Sequence, residues 1–288
     1  VATGAAEFID IVTADVFVPT IWSKYAVVAR ESKTVFAPLV DRRFEKDVMQ
    51  MGNTVNIPNI SNVGVVAKSM SANAATLYET VTETKQQLVI GTWNYTAIAI
   101  ETATKKQVDR NLLAAYAPKQ QYALALAIDD ALAAYPDDFS QSVGTLLVPL
   151  AYDDVLRAKQ YLDDADVPAS DRNMVISPAQ EAEFRKLDQF INKDYNSLQE
   201  GLNLGSREAY MGTWMDIPVY RSTNVEGSNA AGHDNAMFHK EALALVVQMD
   251  PTTHNFFDID YFAYKVAVEQ LHGSKEIRDD HGVWMPGL

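Results

Sequence analysis

The sequence predicts an α+β fold, and three observations carry that expectation. Residues 53–98 alternate apolar and polar side chains and are rich in β-branched and aromatic types, which reads as strand. Within 99–135, Leu124, Ile128, Ala131, Leu132 and Tyr135 recur at helical spacing and draw one apolar stripe. From 137 to 249, helical and strand patterns are mixed, as expected of a layered domain. Apolar residues are 48% and charged residues 22% of the 288, a globular balance long enough for one large domain or two modest ones.

Residues 1–52 read as an arm. Short apolar groups such as Phe17-Val18 and Ile21-Trp22 are separated by single charges, and Asp15 is placed to cap a short helix running to about Arg30. The segment has no core face of its own, so its stability is expected from lying on another surface. In 53–98, TVNIPNI puts Val55, Ile57 and Ile60 near one face, and Pro58 excludes a central strand. The tip, Val63 to Ala75, is rich in Ser, Asn, Gly and Ala and so compliant. The return run to Ile100 completes a long two-stranded arm. An isolated hairpin is marginal in water, so intermolecular packing is expected there.

A first helical piece is expected over 101–115 and a main helix from Pro118, which suits a first helical position. Pro136 ends it. Asp153 opens a helix carrying Val155, Leu156, Lys159 and Leu162; NMVIS is a short buried strand; Pro178 starts the next helix with Phe184 and Leu187 inward. TWMDIPVYRS and AMFHKEALALVVQM read as two further strands joined by the loop TNVEGSNAAGHD. After Pro251, YFAYKVAVEQL reads as strand, Gly273 as a turn, and HGVWMP as part of a closing hairpin.

Composition excludes several chemistries. There is no cysteine, so disulfides and thiolate metal sites are absent, in keeping with a reducing compartment. No window reaches the roughly 18 apolar residues of a membrane span. The N-terminal residues lack the basic start of a signal peptide. Net charge is −14, unlike a protein that grips phosphates. The charge is uneven: nine Asp against Arg157 and Lys159 between Asp129 and Asp166, but six basic against three acidic residues between Lys24 and Lys46. The Asp pairs are expected on a solvated face; such a face could also form a wall past which DNA slides without sticking.

Catalytic motifs are lacking, and no catalytic, cofactor-binding or metal residue is expected; the chain is not expected to be an enzyme. There is no G-x-S-x-G. Gly227 to Gly232, followed by His233-Asp234, lacks the Lys and Ser/Thr of a phosphate loop. His233, His239, His254, His272 and His281 form no i, i+4 helical pair, although His233 and His239 could meet at a loop-to-strand junction. Asp258 and Asp260 would share one side of a strand. Trp22, Trp93, Trp214 and Trp284 are expected in cores or at element ends.

The segment LRAKQYLDDADVPASDRNMVISPAQEAEF resembles a signature of the major capsid proteins of tailed phages. So do YMGTWMDIPVYRSTNV, AMFHKEALALVVQ and, more weakly, VAVEQLHGSKEIRDDHGVWM. The likeness is greatest to short-tailed, podovirus-like phages. It implies the Hong Kong-type phage capsid fold, with an N-terminal arm (1–52), an extended hairpin loop (53–98), a peripheral domain with a long spine helix (99–136 and 250–288) and an axial domain (137–249). It implies self-assembly through hexamers and pentamers into an icosahedral shell around double-stranded DNA held without sequence-specific binding. Implied partners are scaffold, portal and decoration proteins, with assembly in the host bacterial cytoplasm and no membrane. Val63, Val65, Val66, Lys68, Met70, Phe17 and Trp22 are the expected subunit contacts. Some capsids of this fold carry Lys–Asn crosslinks; Lys68 near the tip has the right type, but a crosslink also needs a facing Asn and an acidic group from a neighbour. An encapsulin-like cellular nanocompartment shell and an unrecognised cytoplasmic α/β enzyme are the alternatives.

Overall fold

The computed structural model describes residues 34–48, 52–60, 63–65, 78, 83–103, 112–187 and 209–288. The expected helix between Asp15 and Arg30 lies outside them. Among the described residues the chain forms three sheets. After a short helix α1 (Glu45–Val48), β1 (Thr54–Ile60) and β2 (Glu83–Val89) pair antiparallel, from Thr54 opposite Val89 to Ile60 opposite Glu83. Pro58 lies opposite Lys85 in this two-stranded ladder, where it has no central strand to interrupt.

The return run does not continue the hairpin. It breaks at Ile90-Gly91, and β3 (Thr92–Glu101) joins a separate antiparallel sheet in the order β3-β10-β9, with β9 Leu243–Asp258 and β10 Ala263–Glu276. Gly273 is not a turn but an interior residue of β10. A Cβ there would meet the Val89 carbonyl oxygen at 2.5 Å. Glycine therefore lets the hairpin base cross the sheet closely.

The long helix α2 (Leu112–Ala133) runs through Pro118 rather than restarting at it. Pro118 is exposed, so the hydrogen bond it forfeits lies on the watered side. The cost, about 3 kcal/mol for an interior proline, is offset further along, where Leu124, Ile128 and Leu132 are buried. A 3₁₀ turn begins at Pro136, as the sequence requires.

The largest sheet runs β11-β8-β4-β6-β5, with β7 (Gly227–Ser228) also on β8. Its strands are β4 Arg172–Ile176, β5 Tyr210–Trp214, β6 Ile217–Arg221, β8 Gly232–His239 and β11 Gly282–Gly287. Each of the two runs read as single strands is two: TWMDIPVYRS is the antiparallel β5–β6 hairpin, and AMFHKEALALVVQM spans β8 and the start of β9, which lie in different sheets. Met215 and Asp216 both take positive φ (45° and 67°), the geometry of a type I′ turn built without Gly or Asn. The HGVWMP segment pairs with β8, not with β10. The boundary drawn at 249/250 falls inside β9, and 282–287 belong to the large sheet rather than to the one under the long helix.

Alternation explains the packing. Met174 and Ile176 of β4, Met237 of β8, and Val283 and Met285 of β11 face helices α3 (Tyr152–Asp164) and α4 (Pro178–Phe184), meeting Val155, Ala158, Leu162 and Phe184. Val175, Ala236 and Phe238 face the other way, toward Phe36, Ile128, Leu132 and Leu243. A strand buried on both faces reads as a continuous apolar run, which is why NMVI is legible. Ser177 caps α4 by accepting from the Gln180 N–H at 3.1 Å, and Pro178 occupies its first position. A third cluster, Val48, Val55, Leu88, Ile90, Ala244 and Val246, seats the hairpin base on β9.

Candidate assembly surfaces

Among the described residues, the hairpin is anchored at its base. Val55 and Leu88 are buried, the Ile90 N–H donates to the Asn53 carbonyl at 2.8 Å, and Lys275 Nζ donates to the Gln87 carbonyl at 3.0 Å. Beyond the paired strands, Val63 is 64% and Val65 99% exposed. These two expected contacts stand in water in the single chain. Val66, Lys68, Met70, Phe17 and Trp22 lie outside the described residues.

A second apolar surface is one the sequence did not announce. β9 and β10 are 16 and 14 residues long. The start of β9, Leu243 to Val246, is buried with the core, while 250–257 are exposed. One face of the three-stranded sheet lies toward α2, where Gln120 Nε2 donates to the Thr96 and Val266 carbonyls at 3.4 and 3.3 Å. The opposite face carries Trp93, Tyr95 and Phe256, all exposed, and the β9–β10 turn adds exposed Ile259, Tyr261 and Phe262. Lys265 lies 4.8 Å from the Tyr261 ring centre and pairs with Asp258. Trp93 was expected in a core or at an element end; it is the second residue of β3 and 66% exposed, its Nε1 donating to Glu269 at 2.9 Å. Contiguous exposed apolar surface of this kind marks interaction sites. The available signal was that Trp93 and Tyr95 share one face of 92–100 while Ile98 and Ile100 lie on the other. Trp214 is buried, and Trp284 is half-buried with Nε1 donating to Asp234 at 2.9 Å. The Asp258-Ile-Asp260 segment is a turn, with Asp258 Oδ1 accepting the Asp260 N–H at 2.9 Å, so no carboxylate pair is aligned on a strand.

Asp129 corrects the expectation of a wholly solvated acidic face. It is fully buried on α2. Its Oδ1 accepts the N–H groups of Val35, Phe36 and Ala37 at 2.9, 2.7 and 3.4 Å, and Oδ2 accepts from Asn224 Nδ2 at 2.8 Å. One carboxylate thus ties the end of the arm, the long helix and the loop after β6. Asp163 pairs with the buried Arg172 at 2.6 Å; burial raises its carboxyl, but the hydrogen bonds and charges of Arg172 and Lys159 together hold it below the usual range.

Glu276 sits where the hairpin, the long helix and the 3₁₀ turn Asp279–His281 converge. Burial, then Asp279 and Asp138, push its carboxyl up to about 7. The folded chain therefore holds this proton while the unfolded chain, at 4.5, has lost it. The stabilisation is complete below 4.5 and disappears as pH rises through about 7. Glu276→Gln is expected to leave the thermal midpoint nearly unchanged in acid and raise it above the parent at about pH 8. Equal midpoints throughout would show that the folded carboxyl is not penalised.

The histidines do not pair as the sequence allowed. His233 and His239 lie at opposite ends of β8. His239 instead meets His281, ring centres 5.7 Å apart.

A long helix crossing a sheet, a layered second sheet and a projecting hairpin form an architecture shared with solved phage structures. One from Mycobacterium phage Che8 matches with a TM-score of 0.80 at 23% identity, covering 93% of this chain and 97% of that one. The capsid structure of the cyanophage P-SCSP1u matches at 0.74 and 16% identity, covering 96% and 94%. The mature capsid of bacteriophage PhiM1 matches at 0.71 and 12% identity, covering 93% and 91%. The fold class is thus that of a phage shell subunit. The phage capsid protein family matches residues 27–277, and the chain belongs to that family. No curated protein matches the sequence.

Proposed function

We propose that the chain is a major capsid protein that assembles through hexamers and pentamers into an icosahedral shell enclosing double-stranded DNA. The observation that carries this is where the apolar surface goes. The hairpin beyond Ile60 and the outer face and tip of the β3-β10-β9 sheet leave valines, tryptophan, tyrosines and phenylalanines in water, and sister copies supply the missing cover. Such contacts join one surface to a different one, which is how a closed shell is built from one chain. The expected segments serve as arm, hairpin loop, peripheral domain and axial domain, with β3 joining the peripheral sheet, β11 the axial sheet, and β9 continuous between the two. A net charge of −14 suits a container that does not bind its DNA tightly.

Scaffold, portal and decoration proteins are the further partners of this reading, and assembly takes place in the host bacterial cytoplasm. An encapsulin-like compartment has the same mechanics with a protein cargo; the phage capsid family match favours the virion. Electron microscopy of particles from the native source tests the proposal. DNA-filled heads with tails support it, and small shells without nucleic acid contradict it.

A further inference from the structure

The β8–β9 turn brings together three metal-ligand side chains from separate places in the sequence. His239 ends β8, Glu241 lies in the turn, and His281 closes the 3₁₀ turn before β11. One donor atom from each lies within 4.8 Å of the others. Both imidazoles are 5% exposed, so the cluster is not a chance meeting of solvent-facing side chains. We propose that His239, Glu241 and His281 form a binding site for a divalent cation of the zinc class.

The donor chemistry favours this ion over a harder one. Two imidazoles and a carboxylate suit Zn²⁺ and its neighbours, whereas Ca²⁺ and Mg²⁺ prefer an all-oxygen set. The surroundings also orient one ligand. His281 Nδ1 lies 3.0 Å from Asp280 Oδ1; donation there leaves the Nε2 lone pair directed away, the carboxylate–imidazole arrangement that positions metal-binding histidines. That lone pair now accepts from Arg278 at 3.3 Å, and Glu241 pairs with Arg43 at 3.0 Å. Both arginines are exposed and can withdraw into water, so they stand as positive charges that a dication replaces. His239 Nδ1 accepts the Glu241 N–H at 3.2 Å, so coordination through Nε2 requires this ring to exchange tautomers and give up that long hydrogen bond. Tetrahedral donors at zinc distance are roughly 3.4 Å apart, so donors now within 4.8 Å of one another close by up to about 1.4 Å on loading.

Arg43 comes from the chain just before α1 and is also held by Asp41 at 2.7 Å. Loading the site would therefore release one of its two carboxylate partners, while Asp41 stays bridged to Ala244 in the core.

Calorimetric titration of Zn²⁺ into chelator-treated full-length protein tests the site, with Co²⁺ absorption as a second readout. One equivalent per chain is expected, with visible Co²⁺ bands of a four- or five-coordinate ion. Affinity should fall more than about tenfold in His239→Gln and in His281→Gln, and stay unchanged in His254→Gln, where the histidine is exposed and pairs with Glu269. Arg278→Ala keeps every ligand and should tighten binding, which decides the matter even if a ligand variant does not fold. Absence of a stoichiometric heat, or equal affinity in parent, His239→Gln and His281→Gln, overturns the proposal. So does an Arg278→Ala variant that binds no more tightly than the parent.

Discussion

Deleting residues 63–75 is expected to leave a soluble, folded subunit that no longer forms stable shells. The hairpin is seated by its base: Val55, Leu88 and Ile90 pack with Val246 and Ala244, and none of these is removed. The deleted stretch contains Val63 and Val65, which have no apolar cover in the single chain. Its loss therefore costs the monomer little, since surface changes away from packing are worth within about 0.5 kcal/mol. For a shell the effect is large, because each contact is repeated at every neighbour. Circular dichroism should show the parent's spectrum and melting transition, while sedimentation shows only free subunits or capsomers. Normal yields of closed shells would remove the hairpin tip from the assembly contacts.

Asp129→Ala is expected to have the largest effect on stability of any single polar substitution discussed above. Its carboxylate satisfies three consecutive backbone N–H groups of the arm and the Asn224 amide in a fully buried place. Alanine would strand those donors. Leaving a buried neutral donor without its acceptor costs on the order of 1–3 kcal/mol, and this substitution removes the acceptor from several at once. Asp129→Asn keeps one acceptor oxygen for the arm and should fall between the two. The chemical denaturation midpoint reads the difference. A shift of under about 1 kcal/mol for Asp129→Ala would mean that the arm's N–H groups find other acceptors.

The two predictions differ in how much of their basis was legible in the sequence. The hairpin was visible because alternation, β-branched residues and a Ser/Asn/Gly/Ala tip are local signals. The α3, β4 and α4 segment was equally plain: Leu162 and Val155 at helical spacing, a solid apolar strand, Ser177-Pro178 as a cap. Asp129 was not legible as a clamp, because adjacent Asp129-Asp130 looks like any solvated pair, and only the arm's return to α2 distinguishes them. The partner of β3 was hidden for a related reason. Its register with β10, Trp93 opposite Leu271, is set by contacts about 180 residues apart, and two strands that each alternate well do not declare which will pair.

The exposed aromatics were hidden by burial itself. Trp93 and Tyr95 lie on one side of a strand whose other side carries Ile98 and Ile100, and sequence does not say which side stays uncovered. The Met215-Asp216 turn lacks the glycine or asparagine that usually marks positive φ, and β11 lies in a different sheet from the strand that precedes it. In each case a tertiary contact overrides a local pattern. The assembly surface is the extreme form of this, since its completing contacts lie on another copy of the chain.

The most direct measurement is the mass of the purified full chain in solution, by light scattering after size exclusion and under conditions that promote assembly. Capsomers and megadalton closed particles are the expected result. A species that stays at the 31.9 kDa of one chain under every condition, folded and with its hairpin laid back on its own body, would contradict the account.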